Sequence, residues 1–181
     1  MKVRRICLAV LPLVMAGAMM GCSDTNKSPE VSDSIRKSLD QAGYKDVSVS
    51  QDRDKGVVTL TGTVATDSDK AQAESIAKAG AGAQVVADQI AVRPPGNESD
   101  AKTVDSDVDK GIEKNLDAAL VKSKLDKHVS YDVKNGVVTL KGDVISAGKR
   151  SMVEKVAAGV PNVKQVVNEL EVKNQKASAR S

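Results

Sequence analysis

Two segments of the chain repeat one alternation of apolar and polar residues, eighty positions apart. "GVVTLTG" (Gly56–Gly62) and "GVVTLKG" (Gly136–Gly142) agree at six of seven letters. Within each segment, valine and leucine recur at every second position, which is the period of a strand with one buried face. Repetition at a fixed spacing predicts a duplicated structural unit.

The second copy predicts the element order αββαβ. Its first helix lies in "VDSDVDKGIEKNLDAALVKSKL", where apolar residues recur at helical spacing. "HVSYDV" and "VVTLKGDV" alternate as strands and flank Asn135-Gly136, a dipeptide suited to a tight hairpin because both residues tolerate positive φ. Ser146 is a candidate N-cap of the second helix, and "VKQVVNELEV" closes the unit as a third strand.

The first copy follows the same plan with a shorter opening helix, "VSDSIRKSLDQAG", and a hairpin turn two residues longer. Thr66 stands eighty residues before Ser146 and is expected to cap the equivalent helix. Each copy therefore predicts an α+β unit, a small three-stranded sheet packed by two helices. Gly62 and Gly142 fall on inward-facing strand positions, where a missing side chain lets a helix or a bend come close. The repeated phrase is accordingly expected to be scaffold.

These patterns divide the chain into six segments. They are a signal peptide (1–21), a tether (22–30), a first domain (31–93), a linker (94–104), a second domain (105–173) and a flexible tail (174–181). The pattern is compatible both with domains that pack together and with domains that move on the linker.

The N-terminus has the form of a targeting signal. "MKVRR" is positively charged, and the apolar run "ICLAVLPLVMAGAMM" is too short for a comfortable membrane span. The run ends in "MMGC", which resembles a bacterial lipobox with Met19 in place of the usual leucine. The resemblance implies cleavage before Cys22 and attachment of lipid to that cysteine. Ser23 follows it, which by similarity to enterobacterial sorting rules implies delivery to the outer membrane.

Cleavage before Cys22 would change the charge and the cysteine content. Removing Lys2, Arg4 and Arg5 leaves 24 basic against 24 acidic residues, so the net charge of +3 falls to zero. Cys7 is removed too, and the mature chain then has no second cysteine for a disulfide. An ordinary secretory signal that happens to end near a cysteine is the alternative interpretation.

Composition argues against nucleic-acid binding and against catalysis. Phe and Trp are absent and Tyr44 and Tyr131 are the two tyrosines, so the chain lacks the stacking platforms of single-strand binders. His128 is the single histidine, and no GxSxG nucleophile motif is present. No ligand spacing typical of a zinc site occurs. We expect no enzyme activity, no cofactor and no metal site.

The αββαβ order, the "GVVTLxGxV" hairpin and the ending "NVKQVVNELEV" (162–172) resemble the BON domain, a family named for bacterial OsmY and nodulation proteins. The resemblance covers residues 31–93 and 105–173 and is closer in the second copy. A lipobox followed by two such domains is similar in layout to outer-membrane lipoproteins related to OsmY. The resemblance implies a non-enzymatic envelope protein linked to phospholipid binding and envelope integrity.

Charge is divided unevenly between the two copies. Residues 31–93 carry 8 basic and 9 acidic side chains, whereas residues 109–173 carry 12 basic and 9 acidic ones. A basic lobe close to a bilayer is attracted to anionic head groups by about 1 kcal/mol per Lys or Arg. Solvated lysines that keep a small domain soluble are the simpler alternative at any single position.

One lysine cluster ends the opening helix of the second copy. It consists of Lys122, Lys124 and Lys127. Cations at this position suit the helix dipole, and the resemblance implies that this helix contacts lipid. Val121 and Leu125 are the apolar residues that could insert beside the lysines. This cluster is the primary candidate for binding anionic phospholipid.

A second basic cluster lies on the following helix of the same copy. It consists of Lys149, Arg150 and Lys155. Glu154 lies four residues after Arg150 and is expected to neutralise it. These residues are therefore secondary candidates for the phospholipid site.

Two functional hypotheses follow from the sequence. In the first, an outer-membrane lipoprotein facing the periplasm is held to the membrane through Cys22, binds anionic phospholipid and supports membrane integrity. In the second, an OsmY-like periplasmic factor of osmotic stress binds other envelope proteins as a chaperone does. The neutral charge of the mature chain favours the second, and its uneven distribution favours the first. We favour the first.

Overall fold

The computed structural model describes residues 27–125 and 127–173 of the 181-residue chain. The predicted signal peptide (1–21), the predicted lipid-attachment residue Cys22 and the tail (174–181) lie outside the described residues. The predicted tether (22–30) is described from Lys27 onward.

The first copy begins with a short helix and closes with a parallel strand. Its elements are α1 (Ser32–Gln41), β1 (Val47–Asp52), β2 (Val57–Val64), α2 (Asp67–Ala81) and β3 (Val85–Val92). β1 pairs antiparallel with β2, and β3 pairs parallel with β2 because α2 returns the chain to the same end of the sheet. The Thr66 side chain accepts a hydrogen bond from the Asp69 N–H at 3.1 Å, which confirms the predicted cap.

The second copy repeats this topology after a much longer helix. Its elements are α3 (Glu98–Lys122), β4 (Val129–Lys134), β5 (Val137–Val144), α4 (Ala147–Ala158), β6 (Gln165–Asn168) and β7 (Glu171–Val172). α3 begins inside the segment 94–104 that the sequence assigns to a linker. Ser146 caps α4 as predicted, accepting from the Lys149 N–H at 3.2 Å. The α+β fold of two small sheets with two helices each is confirmed.

The last strand of the second copy is interrupted, although the sequence predicts one continuous strand. The Leu170 N–H donates to the Asn168 side-chain oxygen at 3.2 Å, and the Glu169 N–H reaches the Leu140 carbonyl at 2.9 Å. This local turn separates β6 from β7, and both pair parallel with β5.

The two repeated glycines mark a close approach of neighbouring strands. Gly62 has φ of 122° and Gly142 has φ of 113°, values that side chains rarely adopt. A Cβ at Gly62 would overlap the Asp46 carbonyl oxygen, and one at Gly142 would overlap that of His128. The group that comes close is therefore the backbone entering the adjacent strand, not a helix. The repeated phrase is scaffold, as the sequence predicts.

Each sheet buries one face against its own helices. In the first copy, Ile35 and Leu39 of α1 pack on Val58, Leu60 and Ile90 of the sheet. The second copy has its own equivalent core under α3 and α4. Both cores are aliphatic, and side chains at alternate positions of the strands point to the opposite face.

The opposite faces of the two sheets pack against each other. A separate buried cluster joins Val57 and Ala87 of the first copy to Val137 and Val167 of the second, two pairs of residues that are each eighty positions apart. The Gln165 side chain extends this contact by donating to the Val86 carbonyl at 2.6 Å and accepting from the Asp88 N–H at 3.1 Å. The described domains thus form one sandwich with the helices outside.

Candidate functional site

The first lysine cluster lies where α3 ends and the chain turns back into β4. The Leu125 N–H reaches the Leu120 carbonyl at 2.9 Å, and the Lys124 N–H reaches that of Val121 at 3.0 Å. These bonds close the helix with Lys124 in the left-handed region, at φ 54°. Glycine is the usual residue at this position, since a side chain there costs about 1–2 kcal/mol.

A cleft of about 170 Å³ opens beside this helix end. Its walls come from the turn after α3, the start of β4, the end of β5 and the start of α4. The apolar lining residues are Leu125, Val129, Val144, Ile145 and Val153. The polar lining residues are Lys124, Lys127, His128, Asp143 and Lys149. We call this feature the cationic cleft.

The cationic cleft unites lysines from both sequence clusters. Lys124 and Lys127 come from the primary cluster, and Lys149 comes from the first turn of α4. Among the described residues, no acidic side chain forms an ion pair with any of the three. Asp143, on the cleft wall, lies 3.8 Å from the Lys173 ammonium. The three lysines surround an apolar floor with positive charge.

The other candidate residues lie outside the cleft lining. Lys122 is the last residue of α3 and is exposed, while Lys155 is exposed in the last turn of α4. Arg150 donates to the Asn168 carbonyl at 2.9 Å. Glu154 accepts from the Asn168 side-chain amide at 2.9 Å and, in the described part of the chain, makes no ion pair with Arg150. The predicted direct neutralisation of Arg150 by Glu154 is therefore wrong, because both side chains bind Asn168 instead.

The structure adds an apolar residue that the sequence analysis did not select. Ile145 lines the cleft and is 67% exposed, whereas Leu125 is only 5% exposed and belongs to the core. Val121 is 55% exposed one turn before Lys124. Comparing the two copies position by position would have found Ile145, because Ala65 stands eighty residues earlier.

The equivalent end of the first copy carries different chemistry. A cleft of about 250 Å³ is lined there by residues that include Gly43, Lys45, Asp46, Ala65 and Asp69. Asp46 precedes β1 as His128 precedes β4, and Asp69 stands eighty residues before Lys149. The first-copy cleft has no isoleucine at its mouth and carries two carboxylates in place of a histidine and a lysine.

A metal site or a membrane-spanning helix would also indicate a function. Within residues 27–125 and 127–173, no group of three or more His, Cys, Asp and Glu side chains could hold a metal ion. No helix in these ranges is long and apolar enough to cross a bilayer. The cationic cleft is thus the candidate site with the clearest chemical character.

Comparison with known proteins identifies both copies. The family model described as the BON domain matches residues 24–94 and 108–174. The chain is 31% identical over 137 residues to osmotically-inducible protein Y of Escherichia coli K12, which covers 75% of this chain and 67% of that protein.

Two solved structures of a structural protein of the type III secretion system of Chlamydia trachomatis, CdsD, also match. They have TM-scores of 0.32 and 0.34 at 15% and 14% identity, and the matches cover 78% and 82% of this chain. The chain spans 65% and 66% of those structures, slightly under two thirds of their length.

Proposed function

Because this chain belongs to the BON domain family, we propose that it is a non-catalytic envelope protein whose second domain binds anionic phospholipid in the cationic cleft. The observation that carries the proposal is that Lys124, Lys127 and Lys149 lie together around the apolar floor of one cleft. A phospholipid offers both halves of the complementary chemistry, a negatively charged phosphate and an acyl chain.

The energetics favour a surface contact with anionic membranes. Each lysine near a bilayer contributes about 1 kcal/mol at physiological ionic strength. Three lysines together contribute about 3 kcal/mol, which is on the order of 100-fold in affinity. The exposed Ile145 would enter the interface beside the ammonium groups, and Lys122 at the α3 end would add a weaker, longer-range attraction.

The envelope location is part of the same proposal. The similarity to an osmotically inducible protein supports a role in osmotic stress at the envelope. Lipidation of Cys22 would hold the protein at the outer membrane, where it supports membrane integrity; several acyl chains on one cysteine give stable attachment. Mass spectrometry of the purified N-terminus tests this directly. A mature protein that starts elsewhere, or Cys22→Ser protein that fractionates like wild type, would remove the lipoprotein part of the proposal.

Vesicle co-sedimentation of the mature chain tests the lipid site. The test variant carries Lys124→Gln, Lys127→Gln and Lys149→Gln. The matched control carries Lys114→Gln, Lys134→Gln and Lys141→Gln, which remove the same charge from exposed lysines outside the cleft lining. We expect binding to vesicles with phosphatidylglycerol to fall on the order of 100-fold in the test variant and only a few-fold in the control.

If the two variants lose vesicle binding equally, net charge alone explains the effect, and the cationic cleft is rejected as the binding site. Equal binding of wild type to neutral and anionic vesicles would reject anionic recognition altogether. If wild type instead suppresses aggregation of an unfolded protein and shows no lipid preference, the alternative of a periplasmic protein-binding factor replaces this one.

A further inference from the structure

The segment that precedes the first domain is bound to that domain. The Ser28 N–H donates to the Arg53 carbonyl and the Arg53 Nε donates back to the Ser28 carbonyl, both at 2.8 Å. The Gln51 Nε2 donates to the Pro29 carbonyl at 2.6 Å, while its Oε1 accepts from the Val31 N–H at 3.0 Å. We call Ser28–Val31 the docked segment.

Two features that distinguish the first copy build most of this contact, and the Gln84 side chain adds a hydrogen bond to the Pro29 carbonyl at 3.1 Å. Arg53 belongs to the hairpin turn between β1 and β2, which is two residues longer than its counterpart between β4 and β5. Gln51 pairs with Val58 in the sheet as Val133 pairs with Val138 in the second copy. Valine cannot make these hydrogen bonds, so the docking belongs to the first copy.

The docked segment lies at the same end of the molecule as the cationic cleft. Ser28 lies against Gly56, and the neighbouring Lys55 forms an ion pair with Glu171 of β7. Glu171 is the register partner of Asp143, which lines the cleft. Three consecutive contacts therefore connect the docked segment to the cleft: Ser28 with Gly56, Lys55 with Glu171, and Glu171 with Asp143.

The cleft of the first copy lies at the other end of β2, about 25 Å away for a strand of eight residues. Four residues separate Cys22 from Lys27. Even a fully extended chain gives this stretch a reach of at most about 18 Å. A lipid on Cys22 would therefore be held near the end of the molecule that carries the cationic cleft.

From this arrangement we infer that the docked segment is a positioning device, which turns the cationic cleft toward the same membrane that holds the Cys22 lipid and turns the first-copy cleft away from it. The inference rests on the proposed function for the anchor and for the lipid partner. It adds that the phospholipid is bound in the anchoring membrane and not in a facing one.

Depth-dependent fluorescence quenching tests this orientation. Full mature protein with acylated Cys22 is placed in neutral phosphatidylcholine vesicles with brominated acyl chains. One sample carries a dye at Met152→Cys and the other at Gln72→Cys, two exposed and equivalent helix positions eighty residues apart. We expect quenching at position 152 to exceed that at position 72 at least three-fold. Neutral vesicles isolate the effect of the docked segment from the attraction of the lysines.

Loss of the docking contacts should remove this difference. In the variant Gln51→Ala/Arg53→Ala/Gln84→Ala, the quenching ratio should fall close to one, because Gln84 also donates to the Pro29 carbonyl, at 3.1 Å. The control Ser50→Ala/Lys37→Ala removes the same formal charge from exposed neighbours and should keep the wild-type ratio.

The possible outcomes separate the inference from the proposed function. Equal quenching at the two positions in neutral vesicles, or an unequal ratio that survives in the docking variant, overturns the inference. A protein without acyl chains on Cys22 overturns it too. A ratio that behaves as expected, combined with no effect of the cleft lysines on binding to anionic vesicles, supports the orientation while rejecting the lipid site.

Discussion

The two copies share a scaffold and differ at one end. Both have the same strand pairing, with an antiparallel hairpin and a parallel last strand, and both bury their helix faces in aliphatic cores. At the helix–strand end, however, the first copy presents Asp46, Ala65 and Asp69, whereas the second presents His128, Ile145 and Lys149. Because the fold tolerates both sets, the residues of the second set are not required for folding. The difference is the one that the proposed binding of an anionic, partly apolar ligand to the second cleft requires.

Substitution of the repeated glycines tests whether the two copies share one scaffold, and it should have the largest effect on stability. Gly62→Ala and Gly142→Ala each force a Cβ into a carbonyl oxygen of the adjacent strand at positive φ. We expect each to lower the free energy of unfolding by about 3 kcal/mol. Urea denaturation measures this. Gly111→Ala in α3, with open space around its Cβ, is the control and should be neutral or slightly stabilising. A large effect in one copy alone would break the equivalence of the scaffolds.

The residues that each copy places in the interface between the sheets should contribute equally to the free energy of unfolding. Val57 and Val137 are 4% and 2% exposed and belong to the same inter-sheet cluster. Truncation of either to alanine should cost about 2 kcal/mol and shift one common unfolding transition seen by circular dichroism. Two separate transitions, with one unchanged in each variant, would mean that the copies fold independently.

A buried polar group distinguishes the copies and predicts a difference in pH dependence. Burial raises the pKa of Asp88 above its ordinary value of 3.8, although Lys70 lies 3.9 Å away. The folded state then holds this proton more tightly than the unfolded state, so the free energy of unfolding falls as pH rises from 3.8 through the raised pKa. The second copy has Arg150 and Asn168 at these positions.

The variant Asp88→Asn/Lys70→Arg introduces the second-copy pair into the first copy. Asparagine keeps an acceptor for the Ile90 N–H, which Asp88 now binds at 3.1 Å. The decrease in the free energy of unfolding as pH rises from 3.8 should disappear. At pH 7, the free energy of unfolding should stay within about 1 kcal/mol of the wild-type value or rise. Urea titrations between pH 4 and pH 7 measure both. An unchanged pH profile would show that Asp88 is not responsible.

The smallest expected effect concerns the helix end at the cationic cleft. Lys124 occupies the left-handed position that Gly43 occupies in the first copy. Lys124→Gly should raise the free energy of unfolding by about 0.5–1 kcal/mol, since it relieves the strained backbone, and it should weaken anionic vesicle binding several-fold. Stabilisation without loss of binding would mean that Lys124 has no role in the ligand contact.

Much of the scaffold could be predicted from sequence because it is local. The caps at Thr66 and Ser146 and the strand period depend on residues close together in the chain. The contacts between the sheets could not be predicted in this way. Val57 and Val137 are apolar residues on the sheet faces that point away from the helices of their own copy. The alternation of apolar and polar residues does not say what covers such a face.

The cationic cleft was predicted only in part for the same reason. The cluster at Lys122, Lys124 and Lys127 was visible as a run along the chain. Its union with Lys149 and Ile145 depends on how α4 packs beside the end of α3, which is a tertiary contact. The predicted pairing of Arg150 with Glu154 was wrong because both side chains bind Asn168 of the neighbouring strand, a contact that helical spacing does not reveal.

Conversion of the second cleft into the first tests the central claim most directly. The variant Lys124→Gly, His128→Asp, Ile145→Ala and Lys149→Asp places the first-copy residues at the equivalent positions of the second cleft. Co-sedimentation with phosphatidylglycerol vesicles, alongside circular dichroism to verify the fold, is the measurement. The account predicts an intact fold with binding reduced at least on the order of 100-fold. A folded variant that binds these vesicles as wild type does would contradict it.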